Sequence, residues 1–355
     1  MITPQSTTFY ENDMHTARVV RLNAVFNPVS EHEAALFKRY ALRPSVIEAR
    51  TVDELIQHVS NCDAVLVISS YLPKPVIQSM TRCKVISRLG IGTDRIDVEE
   101  ATRRGIVVTN VPDFCNDEMG DHAMALVLSL ARQLPSMSAL FRAGKWRASH
   151  EVAERSRRLA SQTLGLVGFG NSAKALAKRA KAFGMRILAT RRKMNAMDPV
   201  AEALDVELTD LDTVLRESDY ISLHAPLTPQ TRHMINASKF AIMKPNAVLV
   251  NTARGALVDE DALVAALREG KLRGAGLDTF EQIDPFAIQE SPPRHALLEF
   301  ENVIVSPHVA CSSVEAARDV VAGGINNMVA VLRGQLPPIE NIVNPDVMPR
   351  LAHLV

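Results

Sequence analysis

Short apolar runs alternate with amphipathic stretches along two lengths of this chain. Between about residues 18 and 115 the runs ARVVRLNAV, CDAVLVISS, CKVISRLG and GIVVTNVP have the aliphatic density of buried strands, and segments with helical spacing such as Val52–Val59 separate them. The alternation resumes more strongly in TLGLVGFG (163–170), RILAT (186–190), YISLHAP (220–226), NAVLVNTARG (246–255), GAGLDTF (274–280) and NVIVSPH (302–308). Strand followed by helix, repeated, predicts a parallel sheet covered by helices on both faces. Two such blocks in 355 residues predict two α/β domains, each long enough to bury its own core. A helical pattern, DEMGDHAMALVLSLARQL, runs from Asp117 toward Leu134 and is apolar on more than one stripe, which predicts burial on several sides and a homodimer. Another helix is expected from Ser313 to Leu332, before a Pro-rich tail.

Composition narrows the class. Hydrophobic residues make up 47% and charged residues 23%, with Lys+Arg 40 against Asp+Glu 40, the balance of a globular enzyme. Net neutrality removes the attraction that drives binding to nucleic acid or to an anionic membrane, so neither is expected as a partner. Cys62, Cys83, Cys115 and Cys311 are far apart with no CxxC pair, which argues against a zinc site and a disulfide framework. The first seventeen residues are polar, contain Pro4, Asn12 and Asp13, and read as a loose extension without a signal-peptide core. A cytoplasmic protein is the expectation.

GLVGFGNSAKALAKRAKAFG passes from a buried strand through Gly168-Phe169-Gly170 into a helix with Ala173, Leu176, Ala177, Ala180 and Phe183 at helical spacing. Gly168 permits the tight turn, Gly170 lets backbone amides approach a pyrophosphate, and Ala173 stands in the third glycine's place, where helix and strand pack closely. The helix amino end, at Asn171 and Ser172, adds partial positive charge for phosphates. The second strand ends at Thr190, and Arg191 falls 23 residues after Gly168, where a carboxylate would bind the adenine-ribose 2′-hydroxyl of NAD. Arg191, Arg192 and Lys193 offer instead charge-assisted hydrogen bonds to a 2′-phosphate, each worth roughly 1.5–3 kcal/mol. NADP is therefore the expected cofactor, with NAD the alternative if one arginine only stacks on adenine.

Ligands of an open parallel sheet bind beyond the carboxyl ends of its strands. Those ends carry the glycine loop, His224 after YISL, Arg254 after VLVNTA, Asp278 after GAGL and His308 after VIVSP. Reduction of a ketone needs a proton donor for the developing alkoxide, and histidine suits that at neutral pH. Arginine can hold a carboxylate bidentately and polarise the adjacent carbonyl. A carboxylate beside the histidine would keep it protonated and oriented. Position alone does not choose between His224 and His308.

TLGLVGFGNSAKALAKRAKAFGM, LHAPLTPQTRHMI, VLVNTARGALVDEDALVAAL and GAGLDTFE with NVIVSPHVACSS resemble, in order and spacing, the D-isomer-specific 2-hydroxyacid dehydrogenases. The likeness continues upstream through RLGIGTDRIDVEEATRRGIVVTNVPDFCNDEMGDHA and covers about residues 60 to 320. The resemblance implies two doubly wound parallel-sheet domains, with a Rossmann nucleotide-binding domain (115–310) inserted in a flavodoxin-like substrate-binding domain (1–114 and 311–355) and the active site in the cleft between them. It implies His308 as proton donor, Arg254 as substrate anchor, and Asp278 as the acid on the nicotinamide side. His224, Ala225, Pro226, Thr231, Thr252 and Ala253 would lie near the cofactor, and backbone amides at Ile91 and Gly92 would bind the substrate carboxylate.

Two departures from the family pattern matter. The catalytic acid of the family usually precedes a proline in a pattern like D-V-F-E-x-E-P; here DTFEQIDP has an extra residue, making Asp284 the expected partner of His308 and Glu281 the fallback. Ile68 falls where phosphoglycerate-type members tend to place a phosphate-binding arginine, which disfavours a phosphorylated substrate, although Arg88, a candidate substrate-binding residue, keeps that substrate open. The expected activity is reduction of a small 2-keto acid, of glyoxylate or hydroxypyruvate kind, to the D-2-hydroxy acid. The alternatives are an NAD(H)-dependent phosphoglycerate-type enzyme, a formate- or phosphite-oxidising relative, and a corepressor-like nucleotide-sensing binding protein.

Overall fold

The computed structural model describes residues 16–23, 27–49, 51–194, 196–284, 286 and 293–347. Most of the polar amino-terminal extension expected from the sequence, residues 1–15, lies outside them. The chain divides into two compact units, residues 1–114 with 313–355, and residues 115–312.

In the first unit, strands β1 (Val19–Leu22), β2 (Ser45–Ile47), β3 (Ala64–Val67), β4 (Val85–Arg88) and β5 (Val107–Thr109) form one parallel sheet in the order β2-β1-β3-β4-β5. This is the flavodoxin-like doubly wound order. Alternation along the strands sends Val20, Leu22, Val65, Val67 and Ile86 to one face, under the helices Val52–Val59, Lys74–Ser79 and Val98–Arg103. Val19, Leu66, Val85 and Val107 point the other way, against the helices Glu31–Arg39 and Val314–Leu332. The 52–59 helix begins with a capping box in which the Thr51 hydroxyl accepts from the Glu54 amide and the Glu54 carboxylate accepts from the Thr51 amide. The late helix starts one residue after its cap, Ser313, and the strand Ser45–Ile47 was not recognised because it is three residues long and half exposed.

The second unit carries seven parallel strands, β6 (Thr163–Val167), β7 (Arg186–Thr190), β8 (Val206–Leu208), β9 (Tyr220–Leu223), β10 (Ala247–Asn251), β11 (Leu272–Leu277) and β12 (Val303–Val305), in the order β12-β11-β10-β9-β6-β7-β8. The chain reverses its direction of winding between β6 and β9, which is the switch point of a Rossmann sheet. Six strands match the apolar runs; the seventh, Val206–Leu208, is a short edge strand.

The helix pattern expected over 117–134 is broken in two. One helix spans Asn116–Ala131, Gln133 takes a left-handed conformation (φ 50°), and Pro135 sits in the first turn of the next, Leu134–Arg142. Within the unit Ala123, Met124, Leu126, Val127 and Leu130 pack among the helix Asn171–Ala182 and strands β10 and β11. Among the described residues no single helix is long and apolar enough to cross a membrane.

The first unit is pinned by a fully buried bidentate ion pair. Arg21 Nε and Nη2 donate to the two carboxylate oxygens of Glu33 at 3.0 and 3.2 Å, while Nη1 donates to the carbonyls of Leu22 and Asn23. Removing one partner leaves an uncompensated charge in the core, which costs about 3–5 kcal/mol. Glu33→Ala is therefore expected to lower the denaturant midpoint by that equivalent, whereas Arg82→Ala, which breaks a half-exposed pair with Asp63, changes it by less than about 1 kcal/mol.

Candidate active site

Because every strand of the second sheet runs the same way, the loops after β6, β9, β10, β11 and β12 emerge on one edge. They carry the glycine turn, His224, Arg254, Asp278 and His308 in the strand order of the sheet.

The glycine turn follows β6. Gly168 has φ +98°, and a side chain there would meet the backbone of His224 and Ala225 at 2.8–2.9 Å, so only glycine lets β6 and β9 approach at the switch point. A Cβ on Gly170 would enter open space, and Gly170 supplies no capping side chain to the helix Asn171–Ala182. Phe169 is buried in the core, with Lys174 Nζ 5.6 Å above its ring. In the helix, Ala173, Leu176, Ala177 and Ala180 are buried as the spacing predicts, but Phe183 is the C-cap residue and is 44% exposed.

The basic stretch after β7 is more organised than a solvated loop. Asp198 caps the short helix Pro199–Ala203 through its Oδ1, while its Oδ2 accepts from Arg191 at 2.8 Å and Lys174 at 3.0 Å. Burial works to raise the Asp198 pKa, but the bond from Lys174 and the amides of Ala201 and Val200 outweigh it and hold the carboxyl below its ordinary value. Arg191 also donates to the Ala196 carbonyl, and its Nε is buried without a hydrogen-bond partner. Arg192 and Lys193 are exposed. One carboxylate thus holds two cations, and two more, Arg192 and Lys193, follow Arg191 in the chain.

His224 is held from both sides. Ser172 Oγ lies 3.1 Å from Nδ1 and Ser222 Oγ 2.9 Å from Nε2, and burial pushes the pKa down to about 4. The ring is neutral at physiological pH and is unsuited to donate a proton. Thr231 closes the turn beside it, its hydroxyl donating to the Pro226 carbonyl at 2.7 Å and accepting from the Thr228 amide at 2.8 Å.

Arg254 leaves β10 on a loop tied by Asn251, whose side chain donates to the Arg254 carbonyl (2.8 Å) and accepts from the Ala253 amide (3.1 Å). Arg254 Nη1 donates to the Ala253 carbonyl. The next residue, Gly255, lies so close to the 280–281 backbone that a Cβ would stand 1.9 Å from the Phe280 carbonyl carbon. The neighbouring Thr252 hydroxyl is buried without a partner.

His308 sits in a left-handed conformation (φ 58°) on a turn held by Asp278. The Asp278 carbonyl accepts from the His308 amide at 2.8 Å, and its carboxylate accepts from the amides of Val309 and Ala310, both at 2.9 Å. The Phe286 ring lies 5.1 Å from the imidazole, centroid to centroid. Asp284 is on an exposed turn where its Oδ1 accepts from the Phe286 amide. The fallback pairing of Glu281 with His308 is corrected: Glu281 binds Arg232 and, at 2.6 Å, His233, and its own amide donates to buried Glu260. Gly255 and Glu260 fix that segment near β10 and turn the Glu281 side chain toward the 232–233 turn. In the first unit, Arg88 folds back to donate to the Leu89 carbonyl at 2.7 Å, Ile91 is 39% exposed, and its carbonyl accepts from Asn110. Gly92 follows it on the same loop.

Sequence reasoning missed His122, Ser306, Lys174 and Asp198. Only the histidine's place on an apolar helix was a visible anomaly.

A bare glycine turn at the switch point, the uncapped helix amino end, and the unpartnered Thr252 hydroxyl and Arg191 Nε are the features a dinucleotide would meet, so these residues fit such a cofactor. The comparisons agree. Residues 124–310 match the model of the "D-isomer specific 2-hydroxyacid dehydrogenase, NAD binding domain". The glyoxylate reductase of Thermococcus litoralis is 41% identical over 301 residues, 83% of this chain and 87% of that one. Among solved structures, D-lactate dehydrogenase from Aquifex aeolicus, complexed with NAD and lactic acid, superposes with TM-score 0.81 at 27% identity over 92% of this chain and 99% of its own. A glyoxylate reductase from Paecilomyes thermophila gives 0.78 at 27% identity over 90% and 97%. The chain belongs to the D-isomer-specific 2-hydroxyacid dehydrogenases, oxidoreductases of 2-hydroxy acids that use a nicotinamide cofactor.

His224 protonates near pH 6.5 when unfolded but only near pH 4 when folded. Between those values the unfolded chain binds more protons, so its burial costs stability as pH falls through that window and has no effect above it. His224→Gln is expected to show a shallower loss of Tm between pH 7 and 5 than the parent; parallel Tm profiles would contradict the buried neutral ring.

Proposed function

We propose that this protein reduces a small 2-keto acid, of glyoxylate or hydroxypyruvate kind, to the D-2-hydroxy acid, with NADPH as the preferred reductant. The observation that carries the reading is the strand edge where Arg254 and His308 follow strands β10 and β12 of the sheet that carries a nucleotide-binding turn. The glycine turn and the amino end of the 171–182 helix, through Asn171 and Ser172, hold the pyrophosphate. Arg191, Arg192 and Lys193 hold the 2′-phosphate; the excess of cations over the Asp198 carboxylate supports this over a ribose hydroxyl. Phe169, His224, Ala225, Pro226, Thr231, Thr252, Ala253 and Asp278 border the cofactor. Bound there, the nicotinamide supplies the hydride.

Arg254 takes the substrate carboxylate and polarises the neighbouring carbonyl; the family resemblance also assigns the backbone amides of Ile91 and Gly92 to carboxylate binding. His308 delivers the proton to the developing alkoxide, with Asp284 its assigned carboxylate. The folded-back Arg88 and apolar Ile68 favour an unphosphorylated substrate. The names of the related glyoxylate reductases point the same way.

Specificity constants for a panel of 2-keto acids with NADPH and with NADH test the assignment. NADPH and glyoxylate or hydroxypyruvate should lead; no turnover with any keto acid would favour a nucleotide-sensing binding protein. Arg191→Ala should lower kcat/KM for NADPH about tenfold or more, the value of one charge-assisted hydrogen bond, and leave NADH nearly unchanged. His308→Ala should cut kcat far more than His224→Ala.

A further inference from the structure

Behind His308 a chain of polar side chains runs from Asp278 to Ser306 and His122, and the reaction as described gives the last two no part. Asp278 is 1% exposed, and its Oδ1 accepts from Ser306 Oγ at 2.6 Å as well as from the Val309 amide. Ser306 Oγ is in turn 2.9 Å from Nε2 of His122, on the helix Asn116–Ala131, and His122 Nε2 is 3.8 Å from the Asp278 oxygen. The direction of the bonds follows from the chemistry. An ionised carboxylate only accepts, so the single Ser306 hydroxyl proton goes to Asp278, and the Ser306 oxygen must accept from His122. His122 therefore carries its proton on Nε2, and the order of donation is His122 to Ser306 to Asp278.

The far end of this chain is the turn that holds His308. Ser306 donates its amide to the Leu277 carbonyl, and the His308 amide donates to the carbonyls of both Asp278 and Ser306. A non-glycine residue with positive φ costs on the order of 1–3 kcal/mol and persists only where its surroundings over-determine it. Here the Asp278 carboxylate, bound to the amides that follow His308 and to the hydroxyl that precedes it, is that surrounding. The two amides hold one carboxylate oxygen each, Ser306 adds a further bond to Oδ1, and His122 orients the Ser306 hydroxyl.

We infer that His122 is a positioning residue for the proton donor His308, acting through Ser306 and Asp278 on the 306–310 turn. The inference rests on His308 being the proton donor. Its effect is on kcat: a displaced imidazole transfers its proton less readily, while Arg254 and the glycine turn, which grip substrate and pyrophosphate, stay where they are.

The test is steady-state kinetics of the full-length enzyme with glyoxylate and NADPH. His122→Leu should lower kcat about tenfold, the value of one hydrogen bond to a charge-linked partner, with both KM values within about twofold. His122→Gln, which offers an N–H at nearly the same reach, should recover kcat to within about threefold of the parent. Ser306→Ala should reproduce the leucine variant's loss, and the double variant should be no slower than either single one, because both break the same chain. Ser306→Ala also serves if His122→Leu does not fold. Unchanged kcat in Ser306→Ala, equal losses for leucine and glutamine at 122, or losses that multiply in the double variant would overturn the inference. His308→Ala run alongside separates the two readings: if it retains full activity, the assigned proton donor is wrong, whereas an inactive His308→Ala beside a fully active Ser306→Ala removes only the role of His122.

Discussion

Strands that all run one way deliver their carboxyl ends to one edge, and there the chain must turn while its backbone amides lose the sheet as a partner. Buried side chains take over that duty. Asn23, after β1, accepts the amides of Ile68, Ser69 and Ser70 at the end of β3. Asn251 ties the loop that carries Arg254. Asp278 ties the turn that carries His308. In each case a short polar side chain at one strand end organises a loop on its own strand or on the next, so groups that bear chemistry are fixed by the same bonds that satisfy the backbone.

Electrostatics then sets like residues in unlike surroundings. His224 and His308 both follow strands of the same sheet. The first is clamped between Ser172 and Ser222 and neutralised by burial, while the second stands at the end of a turn organised by a carboxylate. Asp278, Asp284 and Glu281 are separated in the same way. Asp278 is turned inward, Asp284 caps an exposed turn, and Glu281 is taken by Arg232 and His233. On the other side of the switch point, Asp198 gathers Arg191 and Lys174 instead of leaving the arginine a free surface arm.

Much of this was legible in the chain. The apolar runs located six of the seven strands in the second sheet because buried parallel strands are apolar on both faces and need no partner to be recognised. The edge strands Ser45–Ile47 and Val206–Leu208 escaped because a three-residue strand exposed on one side has no such signature. Apolar density in the long helix reports burial and not what does the burying; within the unit the 171–182 helix and the sheet cover part of it. Glu281 could not be assigned a partner from spacing, because Gly255 brings its backbone against a distant loop.

The sequence by itself determined what is local and periodic: the alternation that makes two parallel sheets, the glycine turn at the switch point, and which polar residues stand at strand ends. Tertiary structure alone decided which of those residues meet, which are neutral, and which carboxylate faces which histidine. The difference is physical, since strand period and turn chemistry act over a few neighbouring residues, whereas burial and hydrogen-bond partnership depend on atoms brought together from segments more than a hundred residues apart, as His122 and Ser306 are.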